Sequence, residues 1–158
     1  MKGAAQPTPM RIALLACVLV TIGCTSTQPP VRGRVITTLP DPVNPLWSEA
    51  EQARNIAVRR LRATAEVSVS LIRLAGAEQP HFYKDHDLVV VLLSGSARLH
   101  LGNRTVEVHP GDVMEIPRGV VHWAENTGPG ASEVYAIFSP PYNGLDNLPM
   151  PPLLLPSP

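Results

Sequence analysis

The sequence predicts a small all-β domain, a barrel or a sandwich. Between residues 63 and 145, short apolar stretches of strand length recur at regular spacing, and turn signals separate them. The clearest hairpin joins "SARLHLG" to "RTVEVH", two alternating stretches, through a Gly102-Asn103 turn. Hydrophobic residues make up 44% of the chain and aromatic residues only 4%, so the predicted core consists mainly of aliphatic side chains.

Two kinds of pattern predict the other strands. In "ATAEVSVSLIRLAG", Val67, Val69 and Leu71 alternate with polar residues, which predicts a strand with one buried face. The continuous apolar run "LVVVLLSG" predicts a strand buried on both faces. The stretches "VMEIP", "VVHWAEN" and "EVYAIFS" complete the set. Regular strands of this kind favour a closed or sandwiched sheet.

The start of the folded body is predicted less completely. Ser48 and Glu51 have the spacing of a capping box, which predicts that a short helix begins there. The following stretch, Asn55 to Arg62, fits either a continued helix or a first strand. Both alternatives stay open at this point.

The first 23 residues are predicted to be a targeting segment that is removed by cleavage before Cys24. Lys2 and Arg11 precede the apolar run "IALLACVLVTIGC", which is shorter than the roughly 20 residues that a membrane-spanning helix needs. Its end resembles a bacterial lipobox, in which small residues precede a cysteine that receives lipid. Cys24 is the predicted lipid attachment residue, and the alternatives are Cys17 or ordinary signal cleavage without lipid.

The resemblance implies a lipid-anchored protein of the bacterial cell envelope. Thr25 follows the cysteine where inner-membrane lipoproteins tend to carry Asp, so the outer membrane, facing the periplasm, is favoured over the inner membrane. With Cys17 in the removed peptide and Cys24 under lipid, no disulfide is expected. The thirteen basic and thirteen acidic residues balance, which gives no electrostatic reason to expect a nucleic-acid partner.

The stretch "PGDVMEIPRGVVHWAEN" carries the most specific motif of the chain. It contains Gly111, Pro117, Gly119, His122 and Asn126 in the order Gly, five residues, Pro-x-Gly, two residues, His, three residues, Asn. This pattern and spacing are those of the second cupin motif, and the chain resembles the cupin superfamily from about residue 63 to residue 145. The resemblance implies an all-β, cupin-type jelly-roll barrel (a double-stranded β-helix), preceded here by the short N-terminal helix or strand.

The first cupin motif is only partly kept. Its pattern is His-x-His, three or four residues, Glu, six residues, Gly, and counting back from Gly95 places His81 at the first histidine position. Tyr83 stands at the second histidine position and Leu88 at the glutamate position. The motif therefore lacks the negatively charged ligand that most cupins use.

The resemblance implies a metal site inside the barrel. His81 and His122 are two predicted ligands for a divalent transition metal such as iron, manganese, nickel or zinc. The alternative is that the barrel binds no metal. His86 is the predicted third ligand, and Asp87 is an alternative to it. Tyr83 is a poorer ligand, because a phenol with a pKa near 10 is protonated at neutral pH.

Three functions follow from the barrel and its incomplete ligand set. The first is a membrane-tethered binding module that holds a divalent metal, a small-molecule ligand, or both. The second is a metal-dependent enzyme of dioxygenase or isomerase type acting on a small organic substrate. The third is a metal-free structural or interaction barrel. Since cupins often pair through strand edges, the resemblance also implies a homodimer.

The chain is thus predicted to have four parts. These are a lipoprotein signal peptide (1–23), an extended proline-rich tether (24–47), the barrel domain (48–145) and a proline-rich C-terminal tail (146–158).

Overall fold

The computed structural model describes residues 32–36 and 47–150. The predicted signal peptide, both cysteines, much of the tether and residues 151–158 of the tail lie outside the described residues. In the order of the chain, the described residues form α1 Glu49–Gln52, β1 Ile56–Ala63, β2 Ser68–Leu74, β3 His81–Tyr83, β4 Asp87–Ser94, β5 Ala97–Leu101, β6 Arg104–Val108, β7 Val113–Ile116, β8 His122–Asn126, β9 Ser132–Ser139 and β10 Asn147–Pro149.

The strands form two five-stranded antiparallel sheets that face each other. One has the order β1-β2-β9-β4-β7 and the other the order β10-β3-β8-β5-β6. From β2 onwards the chain passes from one sheet to the other at nearly every connection, as in a jelly roll. The predicted all-β jelly-roll fold is therefore confirmed. None of the described helices is long and apolar enough to cross a membrane.

The main core lies between the two sheets. Its buried residues are Tyr83, Leu88, Leu92, Ala97, Leu99, Val108, Ile116, Ala136 and Phe138. They come from both sheets because inward-facing residues alternate with outward-facing residues along each strand. Aliphatic residues dominate the cluster, as the composition predicts.

The outer face of the first sheet carries a second apolar cluster. Its buried members are Trp47, Ala57, Leu71 and Leu93, and Val35, Leu61, Val91 and Tyr135 pack against them. Trp47 comes from outside the sheet and covers it, with the Arg59 guanidinium carbon 4.9 Å from the indole ring centroid. The indole Nε1–H donates to Glu133 Oε1 at 2.8 Å. Part of the outer face of the first sheet is thus buried as well as its inner face.

This second cluster corrects the prediction for β2. The alternation predicted one buried face, yet Ser68, Val69, Ser70 and Leu71 are all buried. The odd-numbered residues face the outer cluster, and the even-numbered residues face the barrel interior. The serines are accommodated on the inner face, where Ser68 Oγ accepts a hydrogen bond from the backbone N–H of Tyr142 at 2.9 Å.

The structure settles the start of the body. Ser48 Oγ accepts from the backbone N–H of Glu51, and the Glu51 carboxylate accepts from the backbone N–H of Ser48, so the predicted capping box is confirmed. The helix lasts only to Gln52, and the stretch that was open between helix and strand forms β1. Its pairing with β2 decides the matter, because tertiary pairing outweighs local propensity.

Residues 32–36, which fall in the predicted tether, lie against the barrel. The backbone N–H of Gly33 donates to Leu93 O at 2.7 Å. Arg32 forms an ion pair with Glu133 at 2.6 Å. This part of the predicted tether is therefore in contact with the first sheet.

Residues 146–150, which the sequence assigned to the tail, also belong to the barrel. Asp146 is buried, and β10 pairs with β3 at the edge of the second sheet. The backbone N–H of Met150 continues this ladder by donating to Pro80 O at 3.0 Å. The proline content of the region concealed the strand, which lies at a sheet edge where proline is tolerated.

The backbone conformation explains why glycine occupies two positions of the motif. Gly111 and Gly119 have φ values of 100° and 79°, a region that residues with a Cβ rarely adopt. Their backbone N–H groups donate to Leu92 O at 2.8 Å and to Tyr83 O at 2.7 Å. These turns set both ends of β7 and direct the chain into β8, which carries His122.

We predict that Leu92→Ala destabilises the protein by about 3 kcal/mol, because Leu92 is 1% exposed and its truncation leaves a cavity in the main core. Urea unfolding measures the loss. The matched control is Val113→Ala, at a position that is 64% exposed, where the expected change is below about 0.5 kcal/mol. Equal losses in both variants would contradict the assignment of the core.

Candidate functional site

Two histidines face each other inside the barrel. His81 on β3 and His122 on β8 are register partners, and their ring centroids lie 4.4 Å apart. They are only 6% and 3% exposed. The structure therefore brings together the two histidines that the motifs predicted as a pair.

Both imidazoles are oriented by their own backbone. His81 Nδ1 lies 2.8 Å from Gln79 O, and His122 Nδ1 lies 2.9 Å from Val120 O. Since a carbonyl oxygen only accepts, each Nδ1 carries the proton and donates it. In the neutral ring, Nε2 is then the nitrogen with a free lone pair. Among the described residues neither Nε2 has a hydrogen-bond partner.

His122 is held in the neutral form. Burial lowers its pKa to about 4, the Val120 carbonyl opposes this shift, and the neighbouring His81 adds to it. At neutral pH the imidazole of His122 is therefore uncharged. Its Nε2 is a hydrogen-bond acceptor or a potential metal ligand.

The pair lines a cavity of about 80 Å³ between the sheets. Most of the wall is apolar, and it includes Ile72, Leu74, Val90, Leu92, Leu99, Val108, Met114, Ile116, Val134 and Phe138. Leu88, at the position where the first motif has glutamate, is part of the same wall. The lining residues with polar side-chain atoms are Glu78, His81, Tyr83, His122 and Ser132.

Tyr83 borders the pair without being an anionic ligand. Its ring centroid lies 5.4 Å from that of His81 and 5.5 Å from that of His122. Burial raises the pKa of its phenol well above the usual value, and the nearby Tyr142 and Glu78 raise it further. Tyr83 is therefore a neutral phenol at physiological pH.

His86 is not part of the pair, although the sequence predicted it as the third ligand. Its Nδ1 lies 2.5 Å from Asp146 Oδ2, and its Nε2 lies 3.2 Å from Pro141 O. Both ring nitrogens thus face acceptors, and the side chain is 3% exposed. The physical reason is that His86 holds the segment after β9 against the barrel, with each ring nitrogen directed at an oxygen of that segment and not at the other two histidines.

Asp87, the alternative third ligand, points away from the histidines. Its carboxylate forms a bidentate pair with Arg118, with contacts of 3.2 and 2.6 Å. The Arg118 guanidinium and backbone N–H lower the pKa of Asp87 to about 2. This exposed ion pair lies outside the cavity, since Asp87 is on β4 next to the inward-facing Leu88.

Glu78 is a site residue that sequence reasoning missed. It lines the cavity with the two histidines, and its Oε2 accepts from the backbone N–H of Ala124 at 2.9 Å. Burial raises the pKa of Glu78, while the nearby His81 and the Ala124 N–H act in the opposite direction. No pattern around Glu78 indicates a strand. Its position depends on the long-range bridge between Ala77 and Glu125.

The donor groups present do not complete a transition-metal site. Metal centres in proteins use three or four protein ligands, whereas the imidazole pair provides two. No Glu78 oxygen lies within 4.0 Å of a nitrogen of His81 or His122. Within residues 32–36 and 47–150, no group of three His, Cys, Asp or Glu side chains is arranged to hold a metal. Two imidazoles in an apolar cavity instead provide hydrogen-bond acceptors.

Two antiparallel sheets in jelly-roll order, with a histidine of each cupin motif on facing inner positions, define a cupin barrel. A family model described as a cupin domain matches residues 71–138. An uncharacterized protein of Aquifex aeolicus is 37% identical over 93 residues, which cover 59% of this chain and 76% of that protein. The chain belongs to the cupin superfamily.

Solved structures agree on the fold. An uncharacterized protein with a double-stranded β-helix domain from Klebsiella pneumoniae has a TM-score of 0.54 at 21% identity, covering 66% of this chain and 97% of that one. The polyketide cyclase RemF from Streptomyces resistomycificus has a TM-score of 0.53 at 22% identity, covering 64% and 76%. KdgF from Halomonas sp. has a TM-score of 0.53 at 22% identity, covering 56% and 82%. At these identities the likeness shows the fold alone.

We predict that the imidazole of His122 stays neutral far below the usual range. Histidine ¹⁵N NMR spectra recorded on acidification should give a protonation midpoint of about 4, and the variant His122→Gln identifies the resonance. Because the unfolded state takes up this proton near pH 6.5 and the folded state does not, stability falls as the pH drops from about 6.5 to about 4. A midpoint near 6.5 would contradict the buried, neutral ring.

Proposed function

We propose that this chain is a membrane-tethered cupin module that binds a small, mainly apolar molecule inside the barrel. The ligand contacts the aliphatic wall with its body and places a hydrogen-bond donor against His81 and His122. The proposal is for binding without turnover.

One observation carries the proposal: two imidazoles, each oriented by a hydrogen bond from its Nδ1 to a backbone carbonyl, line a mainly apolar cavity that has few other polar groups. A few placed polar groups in an apolar pocket are typical of small-molecule sites, in which the apolar wall provides affinity and the polar groups fix the orientation. Buried acceptors also penalise a ligand that lacks a donor, because they would remain unpaired. This combination favours selective binding.

The cavity volume limits the ligand. A cavity needs a volume of at least about 10–15 Å³ to hold one water. A cavity of about 80 Å³ therefore has room for roughly five waters or for an organic group of about five non-hydrogen atoms. Larger ligands would need the barrel to open. We therefore propose a ligand, or the inserted part of a ligand, of this size.

A divalent metal is the second candidate occupant. Histidines that bind metals usually donate their other ring N–H to a carbonyl or carboxylate, and both His81 and His122 do so here. The remaining donors would have to come from outside the described side chains. The enzymatic alternative, a dioxygenase or isomerase, has weaker support, since its predicted third ligand, His86, is bonded to Asp146.

We propose that the module is anchored at the outer membrane through lipid on Cys24 and faces the periplasm. The support is the targeting segment and its lipobox-like end. Several acyl chains make such an anchor effectively permanent, at roughly 0.8 kcal/mol for each buried methylene. The tether would then keep the barrel close to the membrane surface.

We predict that the full chain, purified without an affinity tag and analysed by elemental mass spectrometry, contains far less than one metal ion per chain. After chelation it should still bind 1-butanol, observed as shifts of the His81 and His122 imidazole NMR signals. His122→Leu, which introduces an apolar side chain and removes the acceptor, should weaken butanol binding about tenfold. His109→Leu, at a position with a side chain 70% exposed, is the matched control.

Each other result decides between the candidates. Near-stoichiometric metal that is lost in His122→Leu would favour the metal site. If the wild type binds neither metal nor butanol, the metal-free structural or interaction barrel is the remaining candidate.

We predict that radiolabelled palmitate is incorporated into the wild-type chain in a bacterial host and that Cys24→Ala abolishes the labelling. The reason is that the thioether and the amide that carry the acyl chains both form on this cysteine. Cys17→Ala is the matched control and should still be labelled. Labelling that depends on Cys17 instead would move the attachment to the alternative residue.

A further inference from the structure

Three hydrogen-bond acceptors, on three different parts of the fold, line the same cavity. Two are the Nε2 atoms of His81 and His122, and the third is the carboxylate of Glu78. Most of the surrounding wall is aliphatic or aromatic, and the Ser132 hydroxyl that also lines it is already paired with Ser96 O and Asn126 Oδ1. A ligand head that offers several donors would pair with all three acceptors.

The backbone holds Glu78 in this position. Its own N–H donates to Ala124 O at 2.9 Å, and its Oε2 accepts from Ala124 N–H at 2.9 Å. Its Oε1 has no hydrogen-bond donor among the described residues. One carboxylate oxygen is therefore used for structure, and the other is left for a ligand.

The spacing of the three acceptors distinguishes between kinds of cation. Ligand atoms around a transition metal lie about 2.0–2.2 Å from the ion, which brings them to about 3–3.5 Å from one another in tetrahedral geometry. Acceptors around an ammonium lie about 2.9 Å from the nitrogen, and hence roughly 4.7 Å apart. The Glu78 oxygens are more than 4.0 Å from the nitrogens of both histidines. This lower bound exceeds the spacing of the ligand atoms around a tetrahedral metal and allows the wider spacing of the acceptors around an ammonium.

We propose that the cavity binds a small primary alkylammonium, whose three N–H donors pair with His81 Nε2, His122 Nε2 and the free oxygen of Glu78. An ammonium has three donors and no acceptor, which matches three acceptors. Its alkyl chain packs against the aliphatic wall. The inference rests on the proposed small-molecule function and names the chemical class of the ligand.

The charge of the site is consistent with such a ligand. Burial raises the pKa of Glu78, which means that ionising this carboxylate without a partner is unfavourable. An alkylammonium, charged at neutral pH as lysine is, would neutralise the ionised Glu78 inside the apolar cavity.

The test compares three probes of similar size on the full chain in mild detergent: n-butylamine, 1-butanol and butyrate. The readout is the shift of the His81 and His122 signals in histidine ¹⁵N spectra, which reports on the cavity and not on partitioning into micelles. We expect n-butylamine to bind at least about tenfold more tightly than 1-butanol, and butyrate not to bind, because a charge-assisted hydrogen bond to Glu78 is stronger than a neutral one.

The variant Glu78→Gln keeps an oxygen for the Ala124 N–H and removes the charge. We expect it to lose about tenfold or more in n-butylamine affinity with little change for 1-butanol. Glu115→Gln, the same change at an exposed position on β7, is the matched control and should behave as the wild type. Equal affinity of the wild type for n-butylamine and 1-butanol overturns the inference. This comparison uses the wild type alone, so it does not depend on how the variant folds.

The outcomes also separate this inference from the proposed function. If 1-butanol binds and the amine has no advantage, the ammonium class is wrong while the small-molecule site stands. If no probe shifts either imidazole in the wild type, both fail.

Discussion

The short strand β3 is the constraint on which the site depends. It is three residues long, it carries both His81 and Tyr83, and it pairs with β8 at a single register position. Pro80 has no backbone N–H, so the ladder cannot continue regularly on that side. Glu78 replaces the missing pairing, because its backbone and its carboxylate both bond to Ala124. Glu78 therefore both extends the hydrogen bonding to β8 and places a carboxylate in the cavity that the two imidazoles line.

The other side of β3 is held by the end of the described chain. Asp146 accepts hydrogen bonds from the backbone N–H groups of Lys84 and Asp85 at 3.1 and 2.8 Å, and from His86. Burial opposes the ionisation of Asp146, but these three donors outweigh it and lower its pKa. His86, the third ligand predicted from the sequence, thus holds residues 141 and 146 against the barrel. A buried imidazole with acceptors at both nitrogens is better suited to this structural role than to metal binding.

Low polarity around the pair then decides its chemistry. The apolar wall disfavours charge, so His122 remains an imidazole and Tyr83 remains a phenol. Neutral groups in fixed orientations suit hydrogen-bond recognition, in which a ligand without the right donors leaves buried acceptors unpaired. Glu78 is the exception, because its charge is costly unless a cation accompanies it. The same features that weaken the case for a metal therefore make the cavity selective.

The sequence by itself determined the all-β fold and most of the strands, and its resemblance to the cupin motifs predicted that His81 and His122 lie together. Alternation of period two, turn residues and the spacing of the cupin motif are local signals, and each depends on residues near one another in the chain. The roles of Glu78, His86 and Asp146 were decided only by the tertiary structure. Glu78 meets Ala124 46 residues later in the chain, and His86 meets Asp146 60 residues later. Such contacts depend on how the sheets close, and no local pattern records them.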